Sequence, residues 1–443
     1  MFSNKDLRKL IIPLVIEQLL AVTIGMADTV MVSSCGEAAV SGISLVDSIN
    51  FLLITLFSSL ATGGAVIASQ YIGRGDHKSA SLAAKQLFYA SLALSAVLGV
   101  IAVFFRKPVL NMVFGSIEAD VMAHAQIYFL LSAISYQFLA VYNAGAALFR
   151  SMGDSRTTML ISILMNTINI VGNAILIYGF QMAAAGAATA SLVSRAVGAI
   201  IITVLLLNPR RIIFYDKLHK PEIHLSMLKS ILQIGVPNGL ENSIFQIGKI
   251  LVASIVSGFG TISITANAVA GNLASLQVIP GMALGMAMIT VVGQCIGAKD
   301  YEAVKKYTKK LMLITYGVVW AMTLLMLLFS KQILSFYSLS EETTTMTMEV
   351  FIVHGICAVI VWPLAFALPN ALRAANDVRF TMIVSLLSMW IFRIGFSYIL
   401  AIYFNMGILG TWIAMCIDWF CRGACFVIRF ARGKWKNISF IDN

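Results

Sequence analysis

The chain is short of charge. Only 12% of its 443 residues are Asp, Glu, Lys or Arg, while 59% are hydrophobic, and soluble domains carry about 25% charged residues. With a mean hydropathy of +0.88, that scarcity excludes a soluble globular protein and implies an integral membrane one. Cysteine is sparse as well: Cys35, Cys295, Cys357, Cys416, Cys421 and Cys425 lie mostly within apolar runs, without the paired spacing of a metal site. Neither a disulfide framework nor a zinc module is expected. The chain also lacks an HExxH pair and a phosphate-cradling glycine loop, so a membrane-embedded enzyme has no visible catalytic group. No enzyme activity, cofactor or nucleic-acid partner is expected, despite a net charge of +11.

What is present in abundance is long apolar runs. They fall at about 10–34, 44–72, 83–105, 121–148, 157–179, 183–207, 228–258, 265–297, 307–329, 346–370, 380–403 and 407–430. Each is long enough to cross a bilayer as a helix, for which roughly 20 residues suffice. An all-α membrane protein of twelve transmembrane helices is therefore expected. The basic N-terminus before an apolar run mimics a signal peptide, but this run is too long and carries Glu17 and Asp28, so an uncleaved first span is expected. Of the 31 basic residues, 25 fall on one side of such a topology, three (Arg106, Lys107, Lys331) on the other, and three (Arg195, Lys249, Arg393) inside spans. Excess Lys and Arg mark the cytoplasmic face, which puts both termini there in a multi-pass protein of the plasma (inner) membrane. The polar stretch 208–226 divides the spans six and six and reads as a solvated cytoplasmic linker between an N-lobe (1–207) and a C-lobe (227–443).

The two halves repeat. At an offset of 224, Pro13, Glu17, Gly36, Gln70, Gly73 and Asp76 align with Pro237, Glu241, Gly260, Gln294, Gly297 and Asp300. At 223, Arg150, Asp154, Arg156, Thr158, Met159 and Ser162 align with Arg373, Asp377, Arg379, Thr381, Met382 and Ser385. Six spans per copy give both copies one orientation, as in transporters built of parallel repeats. The bland reading of QYIGRGD (70–76) and QCIGAKD (294–300) is helix capping before a charged turn. The Arg150–Arg156 and Arg373–Arg379 segments read as salt-bridged turns.

Charged groups inside spans point to function or to each other. Glu17 and Asp28 share nearly one face of the first span, about 16 Å apart along it, and Pro13 should kink its first turns. Each acid either pairs with a buried cation or serves a coupling ion or substrate. Asn166, Asn169 and Asn173 lie in the fifth span, the last two one turn apart. Their amide oxygens suit a hard cation such as Na⁺, or they hold helices together by hydrogen bonds. Asp418 and Arg422, four apart, should pair. His354 is read first as a hydrogen-bonded packing residue and second as a proton relay. Arg195, Lys249 and Arg393, if they face a pathway, favour zwitterions or anions over cations.

With the repeat, the doubled Gly-charged loops and the LFRSMGDSR and GMADTVMV segments, the chain resembles the multidrug and toxic compound extrusion (MATE) family over essentially its whole length. The resemblance implies a twelve-helix, V-shaped antiporter of two six-helix lobes; separately, a monomer is the expected working unit. It would export small amphipathic, often cationic, compounds in exchange for Na⁺ or H⁺. It further implies that Asp28 is central to cation coupling, that Pro13 is where the first helix bends, and that GAATAS (186–191) is the family's Gly-Ala-Ala-x-Ala-Thr run with Ser191 for threonine. Asp28, Asn169, Asn173 and Ser191 then form one oxygen-rich pocket, with Asp28, Asn169 and Asn173 the Na⁺ ligands. One branch of the family has aspartate at the position of Asn173. In the second half the pattern departs: the acids some members carry in the seventh and tenth spans fall at Phe245 and Trp362 here. Glu241 remains as a substrate- or proton-linked candidate, with Glu17, Lys249, His354 and Arg393. A related lipid-linked precursor flippase is the nearest alternative, disfavoured because such proteins usually have fourteen spans. A channel would need a filter motif.

Overall fold

A computed structural model describes residues 2–115, 118–216, 218, 220, 222–337 and 339–440, with the side chains of Ile24, Met26, Ala27 and Thr29 left aside. Lys217, counted above among the basic loop residues, lies outside them. The chain is all-α, with no strand among the described residues. Its long helices are α1 (Asn4–Ser33), α2 (Glu37–Arg74), α3 (His77–Phe104), α4 (Ala119–Ser151), α5 (Ser155–Gly179), α6 (Ala183–Leu206), α7 (Leu225–Ser257), α8 (Thr261–Gly297), α9 (Tyr301–Leu328), α10 (Glu341–Ile360), α11 (Val378–Tyr403) and α12 (Gly407–Ala431). Among the described residues, α2 to α12 are all long and apolar enough to cross a membrane, and α1 completes a twelve-helix, two-lobe layout. Short helices Arg106–Phe114 and Ser330–Ser335 follow α3 and α9.

Helix ends do not simply follow hydropathy: α2 starts at Glu37, seven residues before its apolar run, directly after the left-handed φ of Gly36. α1 opens on a capping box: Ser3 Oγ accepts from the Asp6 amide (3.2 Å), and the Ser3 amide donates to Asp6 Oδ2 (2.9 Å). That satisfies two of the amides a helix start leaves free. α1 then runs through Pro13, which has no N–H for the carbonyl of Lys9. Ser155 packs beside the gap, its hydroxyl donating at 2.6 Å to the Leu10 carbonyl and lying 3.2 Å from the Lys9 oxygen.

The internal repeat extends to backbone conformation. Left-handed φ occurs at Gly36 and Gly260, Gly75 and Lys299, Gln181 and Asn405, and Ala183 and Gly407, all 224 apart, and at Gly153 and Asn376, 223 apart. At Gly75 the turn ends α2 and hands the chain to Asp76, whose Oδ1 caps α3 at the Ser79 amide (3.0 Å). Lys299 makes the same turn before Asp300 caps α9 at Ala303 (2.9 Å). The turn geometry is thus kept where the glycine is not, at a cost of about 1 kcal/mol for a residue with a Cβ. α5 and α11 also both end in π-type turns, Ala174–Gly179 and Ile399–Tyr403.

The chain divides into two compact units, Met1–Gly239 and Leu240–Asn443. In the first, Phe57, Phe129, Tyr136 and Leu139 centre a core built from α2 and α4. The first turns of α7 join this unit: a Cβ on Gly63 of α2 would lie 2.5 Å from the Ile231 carbonyl, so only glycine lets the backbones approach this closely. The 208–226 stretch differs from the freely solvated linker expected of its charge. Ile213 and Tyr215 are buried, Phe214 N–H donates to Ser81 (3.2 Å), and Gln86 bonds both the Glu222 carbonyl (2.7 Å) and the His224 amide (3.0 Å). Apolar residues hidden among its cations dock it on α3. In the second unit, Trp362, Trp412, Met415 and Trp419 pack with Val256, Ala266 and Ile408.

Two stability tests follow from this backbone. Ala183→Gly, which gives the first unit the glycine its second copy has at Gly407, should stabilise the protein by about 1 kcal/mol. Ser155→Ala, which removes the hydroxyl shared between the Leu10 carbonyl and the proline-orphaned Lys9 carbonyl, should destabilise it by roughly 1–2 kcal/mol. Thermal unfolding in detergent reads both.

Candidate functional site

Four of the expected residues converge in the first unit. Asn173, buried near the end of α5, donates from Nδ2 to Asp28 Oδ1 at 2.6 Å and lies 3.5 Å from Asn169 Oδ1. Asn169, one turn earlier and also buried, donates to Ser191 Oγ of α6 at 3.0 Å. The helical period makes the two asparagines neighbours, and the packing of α1, α5 and α6 brings the acid and the hydroxyl to them. Asn173 Oδ1 is buried with no hydrogen-bond partner among the described residues. An orphaned amide oxygen beside a carboxylate, a second amide oxygen and a hydroxyl is a donor set that a hard monovalent cation could complete. Asn166 stands apart from it, donating to Ser162 at 3.4 Å.

A second carboxylate belongs to the same neighbourhood. Asp47 of α2 accepts from Tyr128 (3.0 Å) and Asn50 (3.2 Å), and Asn50 is held in turn by Ser132 (3.3 Å) and Tyr136 (2.7 Å). Arg195 donates to Ser135 at 2.7 Å and is close enough to act electrostatically on both Asp28 and Asp47. Sequence reasoning overlooked Asp47 because it stands at the start of an apolar run, where an acid reads as a boundary residue. Its spacing from Asn50 and the tyrosines of α4 was the available signal.

Glu17 and Glu241 lie elsewhere. Glu17 is buried against Arg150 Nη1 (3.3 Å) and accepts from Thr158 Oγ1 (2.8 Å). Glu241 is buried against Arg373 Nη2 (2.8 Å), and Arg373 also donates to Asn370 (2.9 Å). Each half thus contains the same Glu–Arg pair. The motif turns are salt-bridged, but to partners outside the motif: Asp154 with Arg211 (3.4 Å) and Asp377 with Arg429 (2.6 Å). Lys85 and Arg422, counted from sequence with the loop cations, are buried on α3 and α12. Lys85 lies 4.0 Å from Glu222, and Arg422 lies 3.2 Å from Asp418, one turn before it, as their spacing implied. His354 is buried, its Nδ1 2.8 Å from Gln277 Oε1, with Phe351 stacked on one face and the edges of Trp412 and Trp419 close by. Lys249 and Arg393 meet over the ring of Phe245, and Trp362 stacks on Phe366. Among the described residues, no three His, Cys, Asp or Glu side chains converge as a metal site.

The MatE family model matches the chain twice, over residues 13–175 and 237–399. The chain belongs to the MATE family. The two MATE matches stand at the 224-residue offset of the repeat, and each begins at its proline, Pro13 or Pro237. The chain is 29% identical over 434 residues to the protein of Bacillus cereus named Probable multidrug resistance protein NorM, covering 95% of this chain and 93% of that one. It is 26% identical over 442 residues to the protein of the same name in Thermotoga maritima, covering 98% and 93%. A MATE crystal structure in the straight conformation superposes with a TM-score of 0.90 at 20% identity, covering 98% of this chain and 97% of that one. The MATE fold is therefore that of a membrane-embedded transporter.

The paired MATE halves make one energetic statement testable. Glu241→Ala should destabilise the protein by about 3–5 kcal/mol, because Arg373 is left as an uncompensated buried charge, whereas the double change Glu241→Leu with Arg373→Leu should recover most of the loss. Thermal melts of the three proteins decide it.

Proposed function

We propose that this transporter is a cation-coupled antiporter that exports small amphipathic compounds, as the multidrug resistance names of its relatives suggest. The coupling ion, Na⁺ or H⁺, binds at Asp28, Asn169, Asn173 and Ser191. The observation that carries this reading is the buried, unpartnered Oδ1 of Asn173 beside the Asp28 carboxylate. A Na⁺ ion would accept those oxygens as ligands, with Asp28 supplying the charge. A proton on Asp28 would instead remove the charge that Asn173 stabilises. Asp47 and Arg195 set the local field: one repels an added negative charge and the other competes with an added cation.

Coupling needs no contact between ion and substrate. If each stabilises a different arrangement of the N-lobe (1–207) and C-lobe (227–443), joined through 208–226, then binding of one favours release of the other. Alternating access of this kind would let the ion gradient drive export. The distribution of basic residues supports cytoplasmic termini; the proposal places the protein in the plasma (inner) membrane, with lipid and substrate as partners and a monomer as the working unit. Glu17 and Glu241, each already matched to an arginine, serve this scheme as fixed charges.

Accumulation of fluorescent cationic and anionic amphiphiles in everted vesicles, under a Na⁺ or a pH gradient imposed separately, tests the proposal. One gradient should drive uptake by the wild-type protein and identify the ion. Asp28→Asn should abolish that uptake, and Asp47→Asn should lower it, because a nearby negative charge that favours a bound cation is lost. Uptake that neither gradient drives, or that survives Asp28→Asn, overturns the coupling scheme.

A further inference from the structure

The second unit gathers an excess of positive charge around one aromatic ring. Lys249 Nζ lies 5.3 Å from the centroid of Phe245, Arg393 Cζ 5.2 Å and Arg422 Cζ 5.4 Å, and Arg422 is also 5.2 Å from the Phe366 ring. Against these three cations stands one carboxylate, Asp418. It is fully buried, bonded by Arg422 at 3.2 and 3.3 Å and by the Ser388 hydroxyl, and its Oδ2 is 4.0 Å from Arg393 Nη1. Asp418 therefore balances one cation, while Glu241 and Asp377 are matched elsewhere to Arg373 and Arg429. Two positive charges are left without a counter-charge among the described residues.

Their surroundings indicate what would complete them. Arg393 Nε and Arg422 Nε are buried without hydrogen-bond partners among the described residues, so donors in this region have no acceptor there. Lys249, in contrast, is exposed, which leaves the cluster open from its side. Phe245 and Phe366, both half-buried, meet edge to face at 6.3 Å, and Phe366 is walled by Trp362 (5.4 Å) and Trp419 (5.5 Å). The ring faces partly compensate the cations, but a ring supplies no net charge. An anionic group supplies both the charge and the acceptors, and the aromatic wall suits a flat apolar body attached to it.

We propose that the second unit binds an amphipathic organic anion, its acidic group between Lys249 and Arg393 and its apolar part against Phe245 and Phe366. As a substrate site this rests on the exporter reading; as a binding site it stands independently. The same chemistry could come from a free organic acid or from the headgroup of an anionic lipid.

Calorimetric titration of the purified protein in phosphatidylcholine nanodiscs, with naphthoate and with naphthylmethylammonium, tests it. The anion should bind at least about tenfold more tightly than the cation, Lys249→Gln should weaken the anion about tenfold, and Lys249→Arg should retain it. Arg393→Gln should act in the same direction; because only 11% of the Arg393 side chain is exposed, the exposed Lys249 variants decide the matter if that protein fails to fold. An unchanged naphthoate affinity in Lys249→Gln, or a preference for the ammonium probe, overturns the site. Displacement of naphthoate by phosphatidylglycerol supports the site with lipid as the anion's source, and no displacement supports it with a free acid. Naphthoate that binds through Lys249 but is moved by no gradient keeps the site and removes its place in export.

Discussion

A charge inside an apolar helix bundle has to be answered by another group in the same bundle, and most of this protein's side-chain architecture follows from that constraint. Leaving an ion unpaired in the membrane interior costs several kcal/mol. Each half answers its first-helix acid with the same arginine, Glu17 with Arg150 and Glu241 with Arg373. Both arginines stand at the C-terminal end of the segment that precedes the Asp154 or Asp377 turn. One pair therefore ties the start of each half to its middle.

Where the two halves stop matching, they specialise. In the first, a carboxylate, two asparagines and a serine face each other, and one amide oxygen has nothing to bond. In the second, three cations share one phenylalanine and one aspartate. The first arrangement is short of positive charge and the second is short of negative charge. A duplicated scaffold with opposite deficits in its copies is consistent with the proposed antiport, in which ion and substrate are held apart.

The backbone separates what the repeat requires from what it tolerates. Five pairs of left-handed turn positions recur across the halves, and at several of them the residue type has changed, as from Gly75 to Lys299 and from Gly153 to Asn376. A turn between packed helices is imposed by the helices on both sides, so a residue with a Cβ can be held there at modest cost. The docking of 208–226 on α3 has the same origin. A segment with seven apolar or aromatic residues among its charges finds cover when a helix face lies beside it, whatever its net charge suggests.

The sequence alone determined the twelve spans, their division into two repeated halves, the family, and the short list of polar residues that membrane burial makes expensive. These are local or periodic properties: hydropathy over about twenty residues, helical spacing, and a constant offset. Which polar residues meet was decided only by the tertiary structure. Glu17 and Asp28 look equivalent on one face of one helix, yet one is neutralised by an arginine 133 positions away and the other is not. Asp47 and Arg422 were misjudged because depth in the bundle is set by packing, and neither hydropathy nor spacing encodes which helix comes to lie against which.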